Sequence, residues 1–284
     1  MEGTMPDDLR AWIGREEAVE DVLALGPARA LAALLDRDSA WIRPGAPLPP
    51  LWHWAYLHAP ARQSRLGPDG HPRPGDFLPP VPYPRRMWAG GRFTFHHPLQ
   101  LGEPSRRVST VAAIQEKEGR SGRFALVTVR HRYHAGGGVA LEEEQDLVYR
   151  AARPLATSPG AAAAELPLPG WSETLRPTPE LLFRFSAVTL NGHRIHYDQP
   201  YATGEEGYPG LVVHGPLLAL LLLDAAVRNA ALIPRTYEYR ALAPLFLPEA
   251  VHIEGVRKEQ GAEVWVRGED GRLALRALVV GTGG

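Results

Sequence analysis

The longest unbroken apolar stretch of the chain is Pro216 to Leu223, closed by Asp224 with Arg228 beyond it. Apolar residues there fall on nearly every helical face (Leu217, Leu218, Leu220, Leu221, Leu222, Leu223), so a helix over His214 to Ala231 must be enclosed by other structure. Elsewhere the pattern changes to period two. Strands are predicted over Arg92 to His96, Arg107 to Lys117, Arg123 to His134 and Val139 to Arg150, broken by Gly119, Gly122 and Gly136-Gly137-Gly138, which reads as an antiparallel meander. A second series of strands follows the Leu-rich helix and runs to Val280. Leu181 to Leu190 is predicted as a strand leading into a long loop, Asn191 to Gly210. In the first half, Arg15 to Asp36 reads as two short helices meeting at Gly26-Pro27, and a short, heavily buried helix is expected near Pro50 among Trp41, Trp52, Trp54 and Tyr56. Ala59 to Pro84 holds eight prolines, the composition of a long ordered flap.

Ala151 to Gly170, rich in Ala and Pro without periodicity, has the character of a linker, and places a boundary between a first unit, 1-155, and a second, 156-284. The two units echo each other. Pro98-Leu99-Gln100-Leu101-Gly102-Glu103 and Pro244-Leu245-Phe246-Leu247-Pro248-Glu249 share a Pro-Leu-x-Leu-x-Glu pattern beside the strand series of each half. The fold class expected is α+β, with sheet wrapped around helix, twice.

Composition removes several functions. Lys+Arg 31 against Asp+Glu 32 gives a net charge of -1, so no basic field exists for nucleic acid or an anionic membrane. Cysteine is absent, which excludes disulfides, thiolate metal sites and a Cys nucleophile, and suits a cytoplasmic location. Met1 to Arg10 carries Glu2, Asp7 and Asp8 and does not read as a signal peptide. An eight-residue apolar run is too short to cross a bilayer, which needs roughly 20.

Candidate chemistry concentrates in Phe185-Ser186-Ala187-Val188-Thr189-Leu190-Asn191-Gly192-His193-Arg194-Ile195-His196-Tyr197-Asp198, followed by His214-Gly215-Pro216. An amide, two imidazoles and a guanidinium lie close in sequence to the first turn of a buried helix. The N–H of Gly215 has no intrahelical partner there and the helix dipole favours negative charge, while Pro216 at the first turn gives up no needed donor. His214 is expected to shape that turn rather than perform chemistry, and stands with the substrate-binding candidates. Arg194 and His193 are candidates for a substrate carboxylate, which the Arg fork would hold bidentately. Arg85, Arg86 and Trp88 are candidates for phosphates and adenine, with Arg62, Arg65 and Arg73 as lesser ones. Each has a plainer reading: a hydrogen-bonded core histidine, an Asn capping its own loop, a solvated arginine. His193, His196 and His214 do not show the spacing of a zinc motif, and no metal or cofactor is expected.

These strings, with Pro50-Leu51-Trp52-His53-Trp54, Leu66-Gly67-Pro68-Asp69-Gly70-His71 and Pro84-Arg85-Arg86-Met87-Trp88-Ala89-Gly90-Gly91, resemble the double hot-dog MaoC-like hydratases and dehydratases. Within them the likeness is to the branch of mesaconyl-C4-CoA (3-methylfumaryl-CoA) hydratase and the mitochondrial type 2 hydroxyacyl-thioester dehydratase. The resemblance covers nearly the whole chain. It implies two hot-dog units, each a sheet around a central helix, with chemistry in the second and a CoA and acyl pocket formed with the first. It implies a hydro-lyase acting on an acyl-CoA thioester, best matched by mesaconyl-C4-CoA going to citramalyl-CoA, with His196 as proton carrier, Asn191 orienting water and Gly215 as oxyanion donor. A homodimer is compatible with it. One departure is plain. Where the wider family carries Asp-x-Asn-Pro-x-His, this chain has Asn191, His193, Arg194 and His196, so the His carries over and the carboxylate does not; an amide is no proton acceptor at neutral pH. A dehydratase of CoA- or carrier-protein-bound 3-hydroxyacyl groups, a thioesterase and a non-catalytic acyl-CoA binding module remain as alternatives.

Overall fold

The computed structural model describes residues 7–119, 122–151 and 166–283. The first half contributes β1 (Glu16–Val22), β2 (Arg85–Phe95), β3 (Pro104–Gly119), β4 (Gly122–Ala135) and β5 (Gly138–Arg150). The second contributes β6 (Trp171–Leu175), β7 (Leu232–Ala241), β8 (Val251–Lys258), β9 (Gly261–Gly268) and β10 (Leu273–Gly283). All ten form one antiparallel sheet in the order β1-β3-β4-β5-β2-β7-β10-β9-β8-β6. From the middle outward both halves follow the same path, which is the double hot-dog arrangement. The predicted boundary at 155/156 lies outside the described residues.

The halves meet where β2 pairs with β7, from Gly90 opposite Arg240 to Thr94 opposite Thr236, with Arg92 opposite Glu238 at the centre. An approximate twofold axis passes through that central pair. The repeated Pro-Leu-x-Leu-x-Glu strings occupy equivalent connections, β2 to β3 and β7 to β8. Leu48 N donates to Leu99 O at 2.7 Å in one half and Val213 N to Leu245 O at 2.8 Å in the other. Isolated bridges match as well, Pro47 with Gln100 and Val212 with Phe246. Residues Pro47-Leu48 therefore stand in the first half where Val212-Val213 stand in the second.

The Leu-rich segment forms α4 (Gly215–Ala230), with Leu217, Leu218, Leu220, Leu222 and Leu223 all buried. It packs across β7, β8, β9 and β10, and the Tyr237 hydroxyl ties strand to helix by donating to Ala219 O at 2.8 Å. Burying four or five leucines at roughly 1.5–3 kcal/mol each is what fixes this helix against the sheet. It is too short to cross a membrane, and no helix among the described residues is long and apolar enough to do so.

Two predicted elements change type. Leu181 to Leu190 is helical, as α3 (Pro179–Val188), because Leu181, Leu182, Phe185 and Val188 share helical spacing and Thr178 caps the start, accepting from Leu181 N at 3.2 Å. Glu16–Val22 is the edge strand β1 rather than a helix; Glu17 meets Arg107 at 3.2 Å and Glu20 meets Arg106 at 3.5 Å across the pair with β3. Only the second short helix survives, as α2 (Leu25–Leu34), packed on α3.

In the first half the expected buried helix is one 3₁₀ turn, Trp52–Ala55. The concave face it leaves is filled by a buried polar group: Glu143 accepts from His53 Nε2 at 3.1 Å, Trp54 Nε1 at 3.1 Å and the Tyr133 hydroxyl at 3.0 Å. Burial pushes Glu143 up, but those donors and the charges of His131 and His53 outweigh it and hold the carboxyl at about 2. Phe77, Leu78, Val81 and Tyr83 of the flap, with Leu9 of the short helix α1 (Asp7–Arg10), cover the rest of that face over Val111, Val127 and Val129.

The seam leaves no room for side chains at its glycines. A Cβ on Gly90 would sit 2.7 Å from Tyr239 O. Gly90→Val is therefore expected to cost roughly 1–3 kcal/mol of stability, measured as a lower urea midpoint; an unchanged midpoint would show that β2 and β7 separate freely.

Candidate active site

Helix α3 ends at a left-handed residue, Leu190 (φ 52), with Asn191 N bonded back to Ser186 O at 2.8 Å and Leu190 N to Ala187 O at 3.4 Å. This double bond closes the helix and throws the next residues across the tip of α4. Asn191 Oδ1 accepts the His193 N–H at 3.1 Å and so holds the turn. A single 3₁₀ turn, Arg194–His196, then buries the His196 ring. Its Nδ1 lies 2.7 Å from Val212 O, and since a carbonyl only accepts, that nitrogen carries the hydrogen and Nε2 is left as an acceptor. The ring stacks on His214 with centroids 3.6 Å apart and planes at 19°.

His214 is the residue immediately before α4. Its Nε2 is 2.8 Å from Ser186 Oγ, while its Nδ1 is buried without a hydrogen-bond partner. No side chain caps the helix, and a Cβ built on Gly215 would meet nothing within 4 Å. An amide at a helix tip with open space beside it thus lies next to the residue on which His196 stacks.

Burial holds the histidines neutral. Burial is the largest effect on each: it lowers His196 to about 4 against the opposing Val212 bond, and lowers His193 to about 2 with the charges of His71 and His196 adding to it. His214 is driven well below its ordinary value by burial and by His196 and His193.

A pocket contribution from the first half was expected, but not the approach of Asp69 and His71 to this cluster. The flap string Gly67-Pro68-Asp69-Gly70-His71 docks on the loop that follows α3 through backbone. Arg194 N donates to Asp69 O at 2.9 Å and Arg194 Nη1 to Pro68 O at 2.9 Å. Gly70 (φ +88) lies so close to Gly192 that a Cβ on either would strike the other's carbonyl oxygen. Docking brings the His71 ring to 4.2 Å from His193, which is itself 5.5 Å from His196. Asp69 Oδ2 lies 2.9 Å from His71 Nδ1 and Oδ1 accepts the His71 N–H at 3.1 Å. One donor atom from each of Asp69, His71 and His193 falls within 4.8 Å of the others, although Asp69 and His71 already satisfy each other. The signal available in sequence was an Asp-x-His string in a Pro- and Gly-rich flap; its partner, more than a hundred residues away, was not.

The candidate substrate-binding residues separate. Arg194 gives Nε and Nη2 to Asp198 Oδ2 at 2.9 and 2.7 Å and lies over the Tyr201 ring at 4.1 Å, so the fork a carboxylate would need is already engaged. Arg85 pairs with Glu206 at 3.1 Å beside the π-helical turn Tyr201–Glu205. Arg86 faces His71 and Tyr149: burial lowers His71 and the Arg86 charge adds to that, while burial raises Tyr149 and the same charge only opposes it. Trp88 is packed edge-on against Trp54 at 5.2 Å, with its N–H donating to Gly90 O at 3.1 Å.

At the opposite end of the β2–β7 seam is a cavity of about 1130 Å³, lined in part by Trp41, Pro49, Pro50, His53, Thr94 and Thr236. It occupies the twofold-related position. There α2 ends with the same turn, left-handed at Asp36 (φ 53) with Arg37 N bonded to Ala32 O at 2.8 Å. The register set by Pro47 and Val212 puts Pro49-Pro50 where the second half has His214-Gly215. Proline offers no N–H at that point.

Fold and site together define a MaoC-like double hot-dog protein. Residues 51–247 match the profile of the family described as hydroxyacyl-thioester dehydratase type 2, and the chain belongs to that family. It is 47% identical over 274 residues to the mesaconyl-C(4)-CoA hydratase of Chloroflexus aurantiacus, covering 96% of this chain and 97% of that one. With the mitochondrial hydroxyacyl-thioester dehydratase type 2 of Schizosaccharomyces pombe it shares 28% identity over 72% of this chain and 77% of the other. Among solved structures, a MaoC-like dehydratase matches with TM-score 0.71 at 14% identity, over 97% of this chain and all of that one. A Mycobacterium tuberculosis protein with a double hotdog fold matches with TM-score 0.58 at 17% identity, over 95% and 96%. At these identities the two structures speak for the fold alone.

The neutral histidines give a signed pH dependence. His71 and His131 are lowered by burial to about 4, as is His196, and His193 to about 2. In the unfolded chain each takes up a proton near pH 6.5. Their contribution is thus fully present above that value and is lost as pH falls from 6.5 through 4, at up to about 1.4 kcal/mol per pH unit for each ring. Tm measured at pH 7.5 and 5.0 is expected to drop by at least ~5 °C; a constant Tm would mean the rings are protonated in the fold.

Proposed function

We propose that the protein is a hydro-lyase that reversibly adds water across the double bond of an enoyl-CoA, with mesaconyl-C4-CoA and citramalyl-CoA as the substrate pair. The observation that carries this reading is the neutral His196 ring, fixed by Val212 O and stacked beside the open tip of α4. The mesaconyl-C(4)-CoA hydratase, related over nearly its full length, supports the choice of substrate.

The chemistry follows from the two groups. Gly215 N–H, with the positive end of the helix dipole behind it, holds the thioester oxygen as it takes on enolate charge. His196 Nε2 accepts a proton from water as the oxygen bonds to Cβ, and the imidazolium returns that proton to Cα as the enolate collapses. One water is consumed, no charge is left over and no cofactor is needed. The buried His196 and His214 rings beside it lower the local dielectric and strengthen the amide's effect. Asn191 holds the loop, and Arg86 stands on the flap side of the site for the anionic CoA and acyl groups. On this reading the first half is the non-catalytic one, since Pro50 leaves its helix-tip position without a donor, and it contributes the flap and the β2 side of the pocket.

Loss of enoyl-thioester absorbance across short branched and dicarboxylic acyl-CoAs, with carrier-protein thioesters in parallel, tests the reaction; release of free thiol in a dye assay would instead identify a thioesterase, and binding without turnover a carrier module. His196→Ala is expected to lower kcat at least ~100-fold with the fold intact by circular dichroism, and near-normal turnover would remove His196 from the mechanism. Because Arg194 fastens the flap, Arg194→Met is expected to raise KM for crotonyl-CoA and dicarboxylic thioesters alike. A rise confined to the dicarboxylic substrates would give its guanidinium to the substrate instead.

A further inference from the structure

Hydration needs the reacting water held at both hydrogens so that an oxygen lone pair points at Cβ. The catalytic loop provides one imidazole for this, His196, and an amide, Asn191, whose oxygen is taken by the His193 N–H. The wider family's carboxylate is missing at that position. A carboxylate and a second imidazole nevertheless reach the same histidine cluster, from the flap of the other half.

Resting on the hydro-lyase reading above, we propose that Asp69 and His71 take the place of the carboxylate that Asn191 does not supply. His71 Nε2 accepts one hydrogen of the reacting water while His196 Nε2 takes the other, and Asp69 fixes His71 in the tautomer this requires. His71 is then a catalytic residue and Asp69 a positioning residue. The water oxygen bonds to Cβ, the proton taken by His196 goes on to Cα, and the hydrogen held by His71 stays on the product hydroxyl, so atoms and charge balance without a co-reactant.

Four observations support the assignment. Asp69 touches His71 twice, at 2.9 Å through Nδ1 and 3.1 Å through the backbone N–H, which puts the hydrogen on Nδ1 and the lone pair on Nε2, as Val212 O does for His196. The pair is placed by the catalytic loop itself, through Arg194 and the Gly70–Gly192 contact, so His71 is registered to the residues that carry His196. The rings of His71, His193 and His196 form a continuous cluster. Finally, the groups facing His71 keep both members in the required charge state. Burial, with the charge of Arg86 on β2 adding to it, holds His71 neutral, at about 4. Burial raises Asp69, but the hydrogen bonds it accepts from the His71 ring and backbone N–H outweigh it and keep the carboxylate ionised, at about 2. Tyr149 on β5, Tyr201 beneath Arg194, His196 and the buried His214 are further titratable groups around the cluster.

The test uses the full-length protein with the enoyl-CoA it turns over best, comparing wild type, Asp69→Asn, His71→Ala and His71→Asn. Expected are a fall in kcat of at least ~100-fold for His71→Ala and ~10- to 100-fold for Asp69→Asn, with KM and the Kd of a saturated acyl-CoA unchanged. Nitrogen-15 NMR of the imidazoles should show His71 as the Nδ1–H tautomer in wild type and a mixture in Asp69→Asn. Wild-type kcat in the variants would overturn the proposal, as would kcat loss accompanied by lost analogue binding and a lower Tm, which would make the pair a fastening for the flap. A stoichiometric metal in the wild type, lost in Asp69→Asn and needed for turnover, would replace it with a metal centre. Failure of the wild type to hydrate any enoyl thioester would bring down the functional reading itself, whereas wild-type turnover with unaffected variants removes only this assignment.

Discussion

The pairing of β2 with β7 is the contact on which the rest of the structure depends. Five paired positions turn two five-stranded sheets into one, and glycines at 90 and 91 let the strands close against Tyr239 where any side chain would intrude. On the outer face Arg92 reaches Asp146 at 2.7 Å and Glu144 at 3.0 Å, tying the seam strand to β5. The edges that two separate sheets would expose at this point are thereby removed. The seam also sets what faces what: β2 begins, and the flap before it ends, beside the loop that follows α3.

Because the axis through the seam makes the two ends of the molecule equivalent in backbone, their differences can be assigned to particular residues. Both α2 and α3 stop at a left-handed residue with the same back-bonded turn, at Asp36 and Leu190. From there the first half reaches the common point at Pro47 through residues 37–46, while the second uses residues 191–211 to reach Val212. That longer path is what carries the histidines. Beyond it, His214-Gly215 opens a sixteen-residue helix where Pro49-Pro50 opens a single turn. One fold therefore presents an imidazole and a free amide at one end and an apolar cavity at the other.

The interior divides along the same line. In the second half α4 fills the concave sheet with leucine, and apolar burial there holds helix and sheet together. In the first half the face is shared between flap residues and the buried Glu143 with its three donors, a group that is tolerable only because every partner is in place. The flap thus has two duties. Its C-terminal part, Phe77 to Tyr83, replaces a helix as cover, and its earlier part, Pro68 to His71, reaches over the seam to the other half's loop.

Local pattern was enough for the strands of both meanders, the buried Leu-rich helix, the repeat, and the string around His196, because each rests on short-range periodicity or on a contiguous motif. It failed where period and charge compete over a few residues: Glu16–Val22 looks amphipathic until Arg106 and Arg107 of β3 are placed opposite, and Leu181 to Leu190 reads as a strand until Thr178-Pro179 is recognised as a helix start. The roles of Arg194, Asp69 and His71 lay further out of reach. Arg194 is paired by Asp198 and Asp69 by His71 within a few residues, but the bonds of Arg194 to Pro68 and Asp69 and the approach of His71 to His193 join residues more than a hundred apart, and those meet only in the assembled fold. The chain's own order of residues determined two sheets, one buried helix and where the imidazoles lie; only the closed sheet decided which of them share a site, since burial, tautomer and charge belong to the packed interior and not to the string.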